Sequence, residues 1–344
     1  MSDLQIGLAV AGGVVLAAFV AHGAWTTRKN TPKQASAPAQ EPGLDPDTLP
    51  LENVNADTPA FTLPAAPRRP MLDALIDVIA PIGLDSTVHA VSGEAARAAM
   101  PATRRAGTKP FAVEGFNLNT ETWEVPAPGQ RYSGFQAGVQ LANRSGALNE
   151  IEYSEFVVKT QAFADAINAT PEFPEMLEEV ARARELDQFA SAHDAQLSFT
   201  IRARNASWSP GYIHQNAARL GFIAGAIPGR LVLAASEEGL PPVLVLSFDS
   251  QAALAEDPAQ SAIRSISLHL DVAQVGRGEQ PFERMRECAL TMAEAMDGLI
   301  TDDNGHALAL ASMDVIATDL QSLYDVLEQR DLAAGSALAR RLFS

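Results

Sequence analysis

The spacing of apolar side chains changes period several times along the chain, and each change marks an element. Leu4 to Ala24 is unbroken, with Gln5 the one polar side chain before His22. A helix rising about 1.5 Å per residue spans about 30 Å over such a run, the depth of a bilayer core, and satisfies its own backbone polar groups there. From Thr26 to Pro70 no period survives. Nine prolines and few aromatics leave that stretch unable to bury a core, so it reads as an extended linker.

The last 150 or so residues alternate between two periods. Ala195 to Arg204 sets Leu197, Phe199 and Ile201 against Ser198, Thr200 and Arg202, a strand with one buried face. Ser209-Pro210 opens a helix carrying Ile213, Ala217 and Leu220, and Gly221 stops it. Phe222 to Ala234 is extended and broken at Pro228-Gly229, and Pro242 to Ser250 and Ile263 to Val272 are further strands. In the last of these Ile266, Leu268 and Leu270 oppose Ser267, His269 and Asp271. Pro281 starts a helix with the stripe Phe282, Met285, Ala289, Met292 and Met296, ending at Gly298. Leu299 to Leu310 reads as a hairpin turning at Asp303-Asn304-Gly305. Ser312 then caps a helix bearing Ile316, Leu320, Leu323 and Leu327. This order implies an α+β domain, an antiparallel or mixed sheet with helices on one face and the other face uncovered.

Residues 71–193 repeat the order more faintly: strand near Leu75–Ile82, helix Ser92–Met100, three strands between Pro110 and Ala142, helices Ile151–Ala169 and Pro174–Ala190. A degenerate repeat of the same fold explains this order. An unrelated α+β module, or an extension of the C-terminal domain, explains it equally. The expected organisation is an anchor over 1–25, a linker over 26–70, a module over 71–193, a domain over 194–331 and a tail over 332–344.

Charge sets the orientation of the anchor. Trp25, Arg28, Lys29 and Lys33 follow the apolar run and only Asp3 precedes it, so the bulk of the chain belongs on the cytoplasmic side and a minute tail outside. A cleaved signal peptide would need its basic residues before the run. Ala9, Gly13, Ala17 and Ala21 share a small-residue face that allows self-association of the helix, although the abundance of Ala and Gly in the chain also accounts for it. A net charge of −17 argues against nucleic acid as partner. The single cysteine, Cys288, excludes a disulfide framework and reads as a small buried hydrophobe. No phosphate-loop, dinucleotide, nucleophile-elbow or zinc-protease motif occurs, and no two of the six histidines have ligand spacing on one element. Asp302-Asp303-Asn304-Gly305 is explained by a turn without calcium. No enzyme activity, metal or cofactor is expected.

Two stretches carry a family resemblance. His22-Gly23-Ala24-Trp25-Thr26-Thr27-Arg28-Lys29 after an apolar run resembles the N-terminus of the ZipA family. Arg219-Leu220-Gly221-Phe222-Ile223, the strand Ile266 to Val272 and the segment Ala295 to Asp303 resemble that family's C-terminal domain. The resemblance implies a single-pass inner-membrane cell-division protein, N-terminus periplasmic and domains cytoplasmic. It would tether filaments of the tubulin-like GTPase FtsZ by binding the FtsZ C-terminal peptide on the open sheet face. Carried over residue by residue, the groove comprises Thr200, Arg202, Ile227, Val245, Ser247, Asp249, Ser267, His269 and Asp271. These positions are more polar than the family's apolar groove. Either the strand register is shifted by one, which swaps the faces, or the groove takes a different tail. A second expectation is a membrane-anchored scaffold that docks another divisome or envelope protein through residues 71–193.

Overall fold

The computed structural model describes residues 33–34, 72–255 and 261–344. The apolar run and nearly all of the linker lie outside the described residues. Among the described residues no helix is long and apolar enough to cross a membrane. Two compact units are present: of the described residues, one comprises 72–194 with 337–344, the other 195–255 and 261–336 with 33–34. They are called here the middle and C-terminal units.

The middle unit is built on β1 (Asp77–Leu84), β2 (Lys109–Asn117), β3 (Arg131–Gln140) and β4 (Ala169–Pro171), hydrogen-bonded in the order β2-β3-β1-β4. Every pairing along that path is antiparallel. Its helices are α1 (Gly93–Ala99), α2 (Glu150–Ala166) and α3 (Met176–His193). Local chemistry starts the first two. The Ser92 hydroxyl accepts from the Ala95 amide, and Asn149 and Glu152 form a reciprocal capping box. Alternate strand residues Phe111, Val113, Phe135, Ala137 and Val139 face buried Phe156 and Phe163 of α2. The rings of Phe135 and Phe163 meet edge to face at 5.4 Å.

The opposite face of this sheet is covered in part by the chain that leads into it. A Cβ on Gly138 would lie 2.4 Å from Leu72 Cδ2, so glycine provides the hollow that the Leu72 side chain fills. Wholly buried Glu114 fastens the segment, accepting from the Leu72 amide at 3.1 Å and from Gln136 Nε2 at 2.9 Å.

The C-terminal unit contains β5 (Gln196–Ala203), α4 (Pro210–Ala218), β6 (Arg230–Leu233), β7 (Leu244–Ser247), β8 (Ser265–Asp271), α5 (Pro281–Met296), β9 (Gly298–Thr301) and α6 (Leu310–Gln329). The two-residue strand Ile223–Ala224 begins a sheet that continues β6-β7-β8-β5-β9, all antiparallel. The first strand of each unit therefore lies between the strands labelled before and after one long helix: β1 between β3 and β4, around α2, and β5 between β8 and β9, around α5.

One continuous core joins Phe199, Ile201, Leu244, Leu246, Ile266, Leu268 and Leu270 of the strands to all three helices. α4 contributes Ile213 and Ala217, α5 contributes Met285, Cys288, Met292 and Met296, and α6 contributes Met313, Leu320 and Tyr324. The methionines of α5 are thus core packing rather than an exposed docking stripe. Cys288 is buried as its position on the stripe implies, and desolvation pushes its thiol up to about 11. α5 ends where Asp297 takes a left-handed backbone, φ 58°. Gly298 follows because a Cβ there would meet Ile201 Cγ2 at 2.5 Å.

Four sequence expectations need correction. Ser312 is not the cap of α6: Ala309 holds that position and makes no side-chain cap. Asp249 is not on a strand, since β7 stops at Ser247 and Asp249 caps the single turn Ser250–Ala253 by accepting from the Gln251 amide. The hairpin after β9 has one formal strand; its return is a single bridge, Thr301 to Ala307. Residues 332–344 are not a tail. Leu332 is wholly buried, and α7 (Ala337–Leu342) belongs to the middle unit, where Leu342 and Phe343 are buried. Two apolar residues in a short, basic C-terminal stretch carry too little period to announce that docking.

α7 also neutralises a buried charge. The Asp77 side chain has no exposed surface, and Arg341 Nη2 donates to its Oδ1 at 2.5 Å. The Asp73 amide donates to Oδ2 at 2.8 Å. Burial nevertheless outweighs the guanidinium and holds the carboxyl above its ordinary value. Arg341→Ala should destabilise the middle unit by about 3–5 kcal/mol, the cost of leaving a buried charge unpaired. Asp77→Asn in that background should return part of the loss, measured by denaturant unfolding.

Candidate functional site

The strand period that builds the core of the C-terminal unit also composes the other face of its sheet. Because β8 buries Ile266, Leu268 and Leu270, it turns Ser267, His269 and Asp271 the other way, where each is half-buried. The same rule puts Ser198, Thr200 and Arg202 of β5 and Val245 and Ser247 of β7 on that face. The register read from the sequence holds for these residues, and the one-residue shift is excluded.

Pairing lines the face residues into cross-strand rows. Ile223, Val232, Val245, His269 and Ser198 are successive neighbours across five strands. The adjacent row runs Arg230, Ser247, Ser267, Thr200 and Thr301. The first row is apolar at one end, with Ile223 exposed and Val232 and Val245 half-buried, and becomes polar at His269. The second is a run of hydroxyls ending in a guanidinium. Thr200 Oγ1 and Ser267 Oγ are 3.2 Å apart, and Thr301 Oγ1 donates to the Thr200 carbonyl at 3.3 Å. Beyond it Arg202 lies between Ser265 and Leu299. Ile227, 52% exposed, sits in the turn ahead of β6, near the apolar end. Asp249, on its helical turn, is outside both rows.

A groove of about 530 Å³ opens at one end of this face, lined among others by Ser198, Arg230, Pro242, Val245, His269 and Asp271. His269 is its central polar group. Its Nε2 is 2.8 Å from Ser247 Oγ. Partial burial, with the Arg230 guanidinium adding to it, holds the imidazole below its ordinary 6.5; Asp303 pulls weakly the other way. At neutral pH the ring is therefore uncharged, an amphipathic plate continuing the Val232–Val245 strip.

Sequence reading missed Ile223, Val232, Arg230, Ser198 and Thr301. Leu231-Val232-Leu233 is apolar throughout, so its alternation leaves no trace in composition. Only pairing to β7 shows that Leu231 and Leu233 face the core while Val232 does not. Among the described residues no group of three or more His, Cys, Asp or Glu side chains is arranged to hold a metal ion.

The His269 titration should be visible by NMR with a midpoint below 6.5. Arg230→Gln, which removes the neighbouring positive charge, should move that midpoint upward. The sign for stability follows: the unfolded chain takes up the proton first as pH falls, so the C-terminal unit loses stability from about pH 6.5 down to the folded midpoint.

No curated protein matches the chain. Residues 247–318 match the family model described as ZipA, C-terminal FtsZ-binding domain, a stretch from the end of β7 through β8, α5 and β9 into α6. This match lies in the same unit as the open sheet face and supports the chain as a ZipA-family protein.

Proposed function

We propose that the chain is a non-catalytic cell-division tether: residues 1–25 anchor it in the inner membrane, and the C-terminal unit takes the C-terminal peptide of FtsZ on its uncovered sheet face. The observation that carries this reading is the row Ile223–Val232–Val245–His269, an apolar strip with one polar end on the face opposite the core that α4, α5 and α6 share. An extended peptide laid there buries apolar side chains against Val232 and Val245, and a few central contacts supply most of the affinity. The hydroxyls of Ser247, Ser267 and Thr200 offer hydrogen bonds beside that strip. Each such contact is weak. Many anchored copies along one filament add up through effective concentration, which is how a shallow groove holds a polymer at a surface.

In this reading the middle unit, whose first strand also sits inside an antiparallel sheet between the strands flanking a long helix, is a degenerate copy of the C-terminal one, and its sheet face is partly filled by Leu72. A second reading makes the middle unit the dock for a different envelope or divisome protein. It is favoured by Ile151 and Val158, seven residues apart on one face of α2 and 81% and 67% exposed.

The test is sedimentation of FtsZ filaments, with and without their C-terminal tails, with vesicles carrying the full chain. Binding that requires the tail is the expected result. Binding without the tail, or none, rejects the proposal. His269→Glu and Val245→Asp should each weaken tail binding about tenfold or more, roughly 1.4 kcal/mol. The circular dichroism and melting of the unit should stay close to those of the parent. Undiminished affinity in both variants would place the peptide elsewhere. Loss of binding in Ile151→Asp/Val158→Asp instead would favour the second reading.

A further inference from the structure

Residues 33 and 34 belong to the C-terminal unit, although more than 150 residues of sequence separate them from the rest of it. The Lys33 amide donates to the Ser207 carbonyl at 2.7 Å, and the Ser209 amide donates to the Lys33 carbonyl at 3.0 Å. Lys33 thereby pairs in parallel with Trp208, whose other edge is bridged to Ile263 through bonds of 2.8 and 2.9 Å. This is a single parallel bridge of the chain to itself.

The side chain adds a second fastening. Lys33 Nζ donates to the Met296 carbonyl at 3.0 Å, the same oxygen that accepts from the indole of wholly buried Trp208 at 2.9 Å. That carbonyl lies in the last turn of α5, where carbonyls without a partner inside the helix and the helix dipole favour a cation. The ammonium also stands 5.9 Å from the centroid of the Tyr212 ring. Sequence reading counted Lys33 among the charges that orient the membrane run. In the fold its charge is spent on the end of a helix.

We infer that Lys33 is a latch that ties the C-terminal unit to the membrane-exit end of the chain, bypassing the linker. The inference rests on the anchor proposed above. Counting from Trp25, eight residues lead to Lys33, at most about 28 Å of fully extended chain at about 3.5 Å per residue. With the latch open, the route from Trp25 to the first strand of this unit passes through the whole linker and the middle unit. The linker alone, about 45 residues at about 3.1 Å each, reaches up to roughly 140 Å. The latch sets the height at which the peptide-binding face stands above the bilayer. It also keeps the tether short enough for a high effective concentration at the surface.

The experiment compares the full chain in lipid vesicles with Lys33→Asp, which repels the helix end, and Lys33→Pro, which deletes the amide bonded to Ser207. Hydrogen exchange at the Ser209 amide reads the latch directly. Energy transfer from a dye at Glu238→Cys, an exposed position, to labelled lipid headgroups reads the height. The parent chain should protect Ser209 and give high transfer. Both variants should speed that exchange at least tenfold and lower the transfer. Exchange as fast in the parent as in the variants overturns the latch, and faster exchange with unchanged transfer overturns its role in setting height. Vesicle flotation and tail-peptide binding, measured on the same samples, separate the parent readings. A chain that fails to float removes the anchor and this inference with it. A chain that floats without binding the peptide refutes the partner alone, and the exchange and transfer results still decide the latch.

Discussion

Everything in the C-terminal unit depends on β8 burying every second side chain. Ile266, Leu268 and Leu270 are the centre of the core that α4, α5 and α6 cover. The period of two then obliges Ser267, His269 and Asp271 to the far side. Burial and binding surface are two consequences of one constraint, because a slip of one residue would expose three large apolar side chains and bury a histidine and a carboxylate. The cost of that exchange holds the register, and the register in turn aligns five strands into rows.

The rows make a continuous strip of a strand face that is unremarkable residue by residue. Val245 alone is an ordinary half-buried valine. Beside Val232 and Ile223 on one flank and His269 on the other, it becomes the middle of a strip about five strands wide. His269 suits the junction between apolar and polar because its neighbours keep it neutral: partial desolvation and the Arg230 charge both oppose a second proton on the ring. A neutral imidazole bonded to Ser247 presents a flat apolar face, which an imidazolium would give up to hydration.

The two units treat the same sheet architecture differently. In the middle unit a glycine at position 138 and a buried carboxylate at 114 receive the chain's own Leu72 on the face opposite the helices. Among the described residues of the C-terminal unit the equivalent surface is bordered, near His269 and Arg202, by the turn that carries Asp303 and Gly305. Lys33 reaches that unit at Trp208, which belongs to neither row. Strand order alone does not distinguish a face that is filled from one that is available. That depends on which side chains approach it.

Much of this was legible in one dimension. Where apolar and polar residues alternate cleanly, as in Gln196–Ala203 and Ser265–Asp271, local spacing determined both the element and its faces, since a side chain's face depends only on its position in the strand. Ser209-Pro210 likewise marked the start of α4 through chemistry confined to a few residues. Uniformly apolar Leu231–Leu233, the docking of Leu342 and Phe343, and the approach of Leu72 to Gly138 were decided in three dimensions. Each depends on residues distant in sequence, from 11 positions between Leu233 and Leu244 to 264 between Asp77 and the Arg341 of α7. The same holds for Lys33: its composition suits a membrane-flanking charge, and only the convergence of a strand edge at Trp208 with the last carbonyls of α5 gives it a different task. Alternation is local and survives in the sequence, whereas a carbonyl without a helical partner at the end of a distant helix does not.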